Sequence, residues 1–196
     1  MSWSPTSPAP ELAPLRRRAY AALRQAGPPE WVPPHCLAVE ALAAAMCDCA
    51  ERQGLQVDRR VVQAGCILHD IGRAKAQDVR HAGTGADLLR KEGTWDERIV
   101  LCVDRHTGGG IDAEEARTLG LPVRDYTPRT LEERIVCHAD NLYSGTKRLS
   151  LAELEGKYRA KGLDKAWLKI RRLHDELGAL LGCDLERLAP VSLPVP

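Results

Sequence analysis

Six histidines and 13 aspartates are spread over the 196 residues, and two of each join in a His-Asp dipeptide, His69-Asp70 and His174-Asp175. Random placement gives about 0.4 such pairs in a chain of this composition, so the dipeptide alone carries little. The surroundings separate the two. His174-Asp175 sits among Lys169, Arg171, Arg172 and Glu176, the pattern of a solvated helix face. His69-Asp70 follows the apolar run Ala64-Gly65-Cys66-Ile67-Leu68 and precedes Ile71-Gly72. Ionisable side chains at the end of a buried helix are costly to desolvate unless they bind something. A neutral imidazole beside a carboxylate is a good ligand pair for a borderline divalent metal: Fe, Mn, Co, Ni or Zn.

Further ligand types fall where helices begin and end. His35 lies in the first turn of one helix, His81 opens another, and His106 closes a third, followed by Thr107-Gly108. Asp140 follows the apolar stretch Ile135-Val136-Cys137-His138-Ala139. Helix ends turned toward a common centre can build a metal site in a bundle core. Neighbouring helix positions diverge by about 100°. His69 and Asp70 can still reach one metal near a helix end, or the carboxylate can bridge two. His138, two residues from Asp140, diverges from it only partly and reads either as structural or as a support behind the ligands. Asp78 and Asp104 are nearby acids placed to move protons.

The elements that must position these residues are helices. Leu12 to Ala26 has apolar residues at helical spacing and stops at Gly27-Pro28-Pro29. Pro33-Pro34 opens a helix through Gln53, since Pro is tolerated in a first turn. Asp58 caps a helix expected over Arg59 to Ile71, and Gly72 ends it. A loop is expected over Arg73 to Arg80, then helices over His81 to Lys91, Asp96 to Arg105 and Asp112 to Leu119. Thr130 with Glu133 reads as a capping box opening a helix to about Tyr143. Ser150 with Glu153 is a second box, for a helix to Ala160, and Asp164 opens the last, ending near Gly182. No strand-like alternation of useful length appears. The expected class is all-α, a bundle of eight or nine helices. It forms one domain over 11–188 with flexible tails at 1–10 and 189–196.

Composition agrees with a helical core of Leu, Ala, Val and Ile, because aromatics make up 4% and Phe is absent. A net charge of +1 leaves no global field for extended nucleic acid. No stretch approaches the ~20 apolar residues of a membrane span. Seven cysteines at scattered spacings make no disulfide framework and read as small buried hydrophobes, which fits a cytoplasmic protein.

The order His35, His69-Asp70, His81, His106, Asp140 resembles the HD superfamily of metal-dependent phosphohydrolases. The Ile71-Gly72 that follows matches its HDIG subgroup. His106-Thr107-Gly108 and Ala139-Asp140-Asn141 are similar to segments of the bacterial HD hydrolases that split diadenosine tetraphosphate symmetrically. Leu119 to Leu181 is similar to the C-terminal part of small HDIG proteins common in archaea. The HDIG subgroup usually has Lys where this chain has Arg73, a fork rather than a point charge. The His-Asp-x-Gly-Tyr-Pro signature of cyclic-di-GMP phosphodiesterases is absent.

That resemblance implies two divalent transition-metal ions. His35, His69, Asp70 and Asp140 would hold the first; His81 and His106, with Asp70 bridging, would hold the second. It implies a phosphomonoesterase or phosphoanhydride hydrolase acting on a nucleotide or dinucleotide-like small molecule through metal-activated water. The quaternary expectation is a monomer or homodimer. Phosphoryl transfer needs cations beside the ligands, and the candidates are Arg73, Lys75, Lys147 and Arg148, with Asp70, Arg73 and Lys147 expected to be catalytic. Thr107 and Gly108 are expected on the substrate side, although Gly108 to Gly110 also reads as a plain turn. The competing readings are a mixed-valent di-iron oxygenase, built on the same six ligands in other HD-fold proteins, and a non-catalytic nucleotide-binding module.

Overall fold

In the computed structural model, residues 12–196 are described. The tail expected over 1–10 lies outside them. Local caps start most of the helices. The Asp58 carboxylate accepts from Arg60 N–H and opens the helix Arg59–Leu68, and Asp96 accepts from Arg98 N–H to open Glu97–Asp104. Asp112 with Glu115 and Ser150 with Glu153 form complete capping boxes for the helices Ala113–Thr118 and Leu151–Arg159. The box expected at Thr130 is half made. Thr130 Oγ1 accepts from Glu133 N–H, but the Glu133 carboxylate turns to Arg129 N–H (2.7 Å) and the Arg105 guanidinium (3.0 Å).

The helices among the described residues are α1 (Leu12–Ala26), α2 (Val32–Arg52), α3 (Arg59–Leu68), α4 (His81–Glu92), α5 (Glu97–Asp104), α6 (Ala113–Thr118), α7 (Leu131–Asn141), α8 (Leu151–Arg159) and α9 (Asp164–Leu181). Two features depart from the sequence reading. The third helix stops at Leu68, and after His69 and Asp70 a 3₁₀ turn occupies Ile71–Ala74. A two-residue antiparallel hairpin, β1 (Tyr143–Ser144) with β2 (Lys147–Arg148), follows α7. The hairpin is too short to leave an alternation pattern in the sequence.

α3 is the central helix. Val61 through Leu68 are all buried, and the helix packs against α1, α2, α5 and α7. Gly65 sets how close α5 comes: a Cβ there would lie 2.8 Å from Cys102 Cβ and 3.3 Å from Val136 Cγ2. α2 is buried over most of its circumference, from Val32 to Ala50. All seven cysteines are free thiols, six of them buried, as their apolar neighbours imply. The last residues have no helix or strand but are not loose. Val191 N–H donates to Ala41 O (3.1 Å) and Arg16 Nη2 donates to Pro194 O (3.0 Å). No helix among the described residues is long and apolar enough to cross a membrane.

Candidate metal centre

His69 and Asp70 stand between the end of α3 and the 3₁₀ turn. Leaving helical geometry there lets both side chains turn to one centre, which adjacent positions of a continuous helix would not do. Gly72 makes the turn possible. A Cβ on it would lie 2.0 Å from His81 O and 2.5 Å from Gly85 N, so α4 sits directly on the glycine. That contact delivers His81 to the site. α2 brings His35, the end of α5 brings His106, and α7 brings Asp140.

The four imidazoles share one arrangement. Each Nδ1 faces a backbone carbonyl oxygen: His35 that of Gly145 (2.8 Å), His69 that of Cys66 (2.7 Å), His81 that of Asp78 (2.6 Å) and His106 that of Val103 (2.7 Å). A carbonyl only accepts, so each Nδ1 carries a proton and each ring turns its Nε2 inward, where it offers a lone pair once the ring is neutral. Those lone pairs meet in two couples, His35 with His69 at 3.1 Å and His81 with His106 at 2.9 Å. Facing lone pairs at such distances repel unless a cation lies among them.

Asp70 divides its carboxylate between the couples. Oδ1 is 3.1 Å from His81 Nε2 and 3.7 Å from His106 Nε2. Oδ2 is 3.8 Å from both His35 Nε2 and His69 Nε2. Asp140 Oδ1 lies on the His35 side, at 3.0 Å from His35 and 3.5 Å from His69. Ligand atoms of His35, His69 and Asp70, and separately of Asp70, His81 and His106, lie within 4.8 Å of one another. Oδ1 of Asp70 is buried with no hydrogen-bond partner. An orphaned buried carboxylate oxygen and paired imidazole lone pairs fit divalent metal ions, and the second-sphere carbonyls fix the donor atoms.

The electrostatics agree. Burial pushes His106 down to about 3, keeping it a neutral donor. Burial also works against a proton on His69, but the Cys36 thiol and the Asp70 and Asp140 carboxylates raise its pKa well above the ordinary value. Burial opposes ionisation of Asp70 as well, and His69, His81 and His106 outweigh it, holding the carboxyl below the usual range. The cluster therefore favours positive charge at its centre.

The cations expected beside the ligands divide sharply. Arg73 is in place: Nε donates to Asp70 Oδ2 (2.7 Å) and Nη1 to Gln77 O (3.2 Å). Lys147 is not. The hairpin turns it outward, where it pairs with Glu153 (2.7 Å). Arg148 is carried to the far side, donating to Leu185 O (2.6 Å), and Lys75 is exposed at the end of the 3₁₀ turn; neither of them, nor Lys147, lines the cleft. Asp78 pairs with Arg80 (2.6 Å) and Asp104 with Arg124 (2.7 Å), outside the cleft. His138 faces His174 (Nε2 to Nδ1, 2.9 Å) rather than the centre, and Asp175 pairs with Arg171 (2.9 Å).

A cleft of about 290 Å³ opens above the ligands. Thr107 and Gly108 line it as expected. Gly108 O is tied to α7 by Asn141 Nδ2 (2.7 Å) and the Cys137 thiol (2.8 Å). Gly109 instead packs on α9, where a Cβ would lie 2.5 Å from the Lys169 backbone. The glycine run thus lines the cleft at its first residue and makes a packing contact at its second. Trp31, Lys157 and Tyr158 also line the cleft and were not singled out from the sequence. No local motif marks them; α8, which carries Lys157 and Tyr158, packs on α9. Burial pushes the Tyr158 hydroxyl up to about 12, with Asp140 and Cys137 adding to the effect, so it stays protonated beside the ligands.

Residues 34–145 match the HD domain family model. Over 152 residues, 78% of this chain, the sequence is 49% identical to a Picrophilus torridus protein named tRNA (cytidine(56)-2'-O)-methyltransferase, of which 43% is covered. A Thermoplasma volcanium protein of the same name is 49% identical over 131 residues, 67% of this chain and 38% of that protein. The chain thus spans about two fifths of the length of these curated relatives. An uncharacterized Methanocaldococcus jannaschii protein is 45% identical over 150 residues, 75% of this chain and 88% of its own length. Among solved structures, the HD domain of the Listeria monocytogenes phosphodiesterase PgpH in complex with cyclic-di-AMP is 21% identical, with a TM-score of 0.47, covering 86% of this chain and 95% of that one. With its family match spanning every ligand of the cluster, this mostly helical chain belongs to the HD domain family.

Proposed function

We propose that the protein is a metal-dependent phosphohydrolase that cleaves a phosphate ester or anhydride of a nucleotide or dinucleotide-like small molecule, with two divalent transition-metal ions. The observation that carries this reading is the division of Asp70, with Oδ1 toward His81 and His106 and Oδ2 toward His35 and His69. A carboxylate shared between two histidine couples is the donor set for a dinuclear centre. His35, His69, Asp70 and Asp140 would hold one ion; His81, His106 and Asp70 the other. Bound there, the ions supply Lewis acidity and lower the pKa of a coordinated water toward neutrality.

The chain's own residues do the rest. Four backbone carbonyls accept from the imidazole Nδ1 atoms, so Nε2 is the atom each ring turns toward the ions. Arg73 donates to Asp70 Oδ2 and so holds the carboxylate in register. Asn141 and Cys137 clamp the Gly108 loop, fixing one edge of the cleft. The Thr107 hydroxyl, buried without a protein partner, is free to donate to a substrate oxygen. Tyr158 keeps its proton and offers a second donor.

The test is direct. Protein reconstituted with Fe, Mn, Co, Ni or Zn is assayed for phosphate or mononucleotide release from mono-, di- and trinucleotides and dinucleoside polyphosphates. Turnover of one class, abolished in Asp70→Ala with helicity retained by circular dichroism, is the expected result. A protein that binds two ions and releases nothing from any of these substrates rules the reading out.

A further inference from the structure

The metal cleft has two lining residues that the ligands do not explain. One, Trp31, stands at the start of α2 with 45% of its surface exposed. The residue before a helix is ordinarily a side-chain cap, yet Trp31 makes no cap hydrogen bond. Core packing does not account for it either, given its exposure. Its ring is instead held at the cleft. The Arg73 guanidinium carbon lies 5.3 Å from the ring centroid and the His35 ring 6.1 Å away. A cation against one side of an indole restrains it and leaves the remaining exposed surface as an aromatic platform.

Lys157, exposed on α8, lines the same cleft. Among the described residues it has no ion pair or hydrogen bond. The other basic candidates are committed: Lys147 to Glu153, Arg148 to Leu185 O, Arg73 to Asp70. A free ammonium group in a cleft floored by metal ligands suits a phosphate.

We propose that the cleft takes a nucleoside monophosphate, its base stacked on Trp31 and its phosphate held by Lys157. The volume agrees. About 290 Å³ is at the small end of ligand pockets, closer to one nucleotide than to two. Stacking is tolerant of base identity, because every base presents a π face, so selectivity between bases is expected to be modest. The inference rests on the hydrolase reading for the reaction that follows, but not for binding.

Binding of adenosine monophosphate, ribose 5-phosphate and inorganic phosphate to the metal-loaded protein, read by tryptophan fluorescence and calorimetry, tests it. Trp31→Ala is expected to weaken adenosine monophosphate about 10- to 100-fold, the usual range for one base–aromatic stack, and ribose 5-phosphate less than twofold. Trp31→Phe restores most of the loss. Lys157→Gln is expected to weaken all three ligands about equally, since each carries the phosphate. Equal losses for adenosine monophosphate and ribose 5-phosphate in Trp31→Ala overturn the stacking, and unchanged phosphate affinity in Lys157→Gln overturns the second contact. Both substitutions are at exposed positions, and melting curves check folding. A protein that binds in this pattern but hydrolyses nothing retains this inference and loses the hydrolase reading. One that hydrolyses nucleotides equally well in both variants does the reverse.

Discussion

Arg73 Nε donates to Asp70 Oδ2 at 2.7 Å, while Arg73 Nη2 lies 3.3 Å from His81 Nε2. One guanidinium thus touches the carboxylate shared by both histidine couples and a member of one couple. We propose that Arg73 positions Asp70. A lysine ammonium can make one of these contacts but not the planar pair.

Arg73→Ala is therefore expected to weaken metal binding about 10- to 100-fold, the usual effect of losing a partner that orients a ligand. Arg73→Lys should retain a larger share of affinity. Metal titration followed by mass spectrometry reads both, and affinity unchanged in the alanine variant contradicts the role.

The two ions should be lost in order. His81→Ala or His106→Ala is expected to lower bound metal from two per chain toward one, because His35, His69, Asp70 and Asp140 survive intact. Asp70→Ala removes a donor from both sites and should lower occupancy of both. Retention of two ions in the His81 variant argues against the assignment.

Gly72→Ala tests the packing that delivers His81. The added Cβ would lie 2.0 Å from His81 O and 2.5 Å from Gly85 N, both backbone atoms. Neither can move without shifting the start of α4. A destabilisation of at least about 3 kcal/mol is expected, beyond the usual cost of overpacking, and should be visible in urea denaturation. Weaker binding of the His81-side ion should accompany it.

The pH dependence of stability should contain a contribution from His138. Burial pushes this group down to about 3, with His174 and Arg148 adding to the effect, whereas an unfolded histidine titrates near ~6.5. The unfolded chain therefore takes up a proton that the folded state refuses. Stability from this group is complete above about pH 6.5 and falls as pH drops toward about 3. Between pH 7 and pH 5 the wild type should lose more stability than His138→Leu in urea melts. Equal losses would show that His138 is not the group responsible.

The sequence by itself determined most of the helices and the set of candidate ligands. Asp58, Asp96, Thr130 and Ser150 start helices through contacts within three residues, so their signal is local and legible. His35, His69, Asp70, His81, His106 and Asp140 were recognisable by order and context, and the fold brings all of them together. What the sequence left open depends on contacts between distant segments. The helix through His69-Asp70 was expected to run on to Ile71, but the pressure of α4 on Gly72 converts it to a 3₁₀ turn. Glu133 leaves its capping box because Arg105, distant in sequence, competes for the carboxylate. Lys147 and Arg148 looked well placed after Asp140, and a two-residue hairpin rotates them away. Lys157 and Trp31 carry no motif and reach the cleft through the docking of α8 and the start of α2. Residue type and short spacing fix which donors exist. Only the packing of α2, α5 and α7 around α3, with α4 docked on α5 and the 3₁₀ turn, decides that four Nε2 atoms and two carboxylates gather at one site.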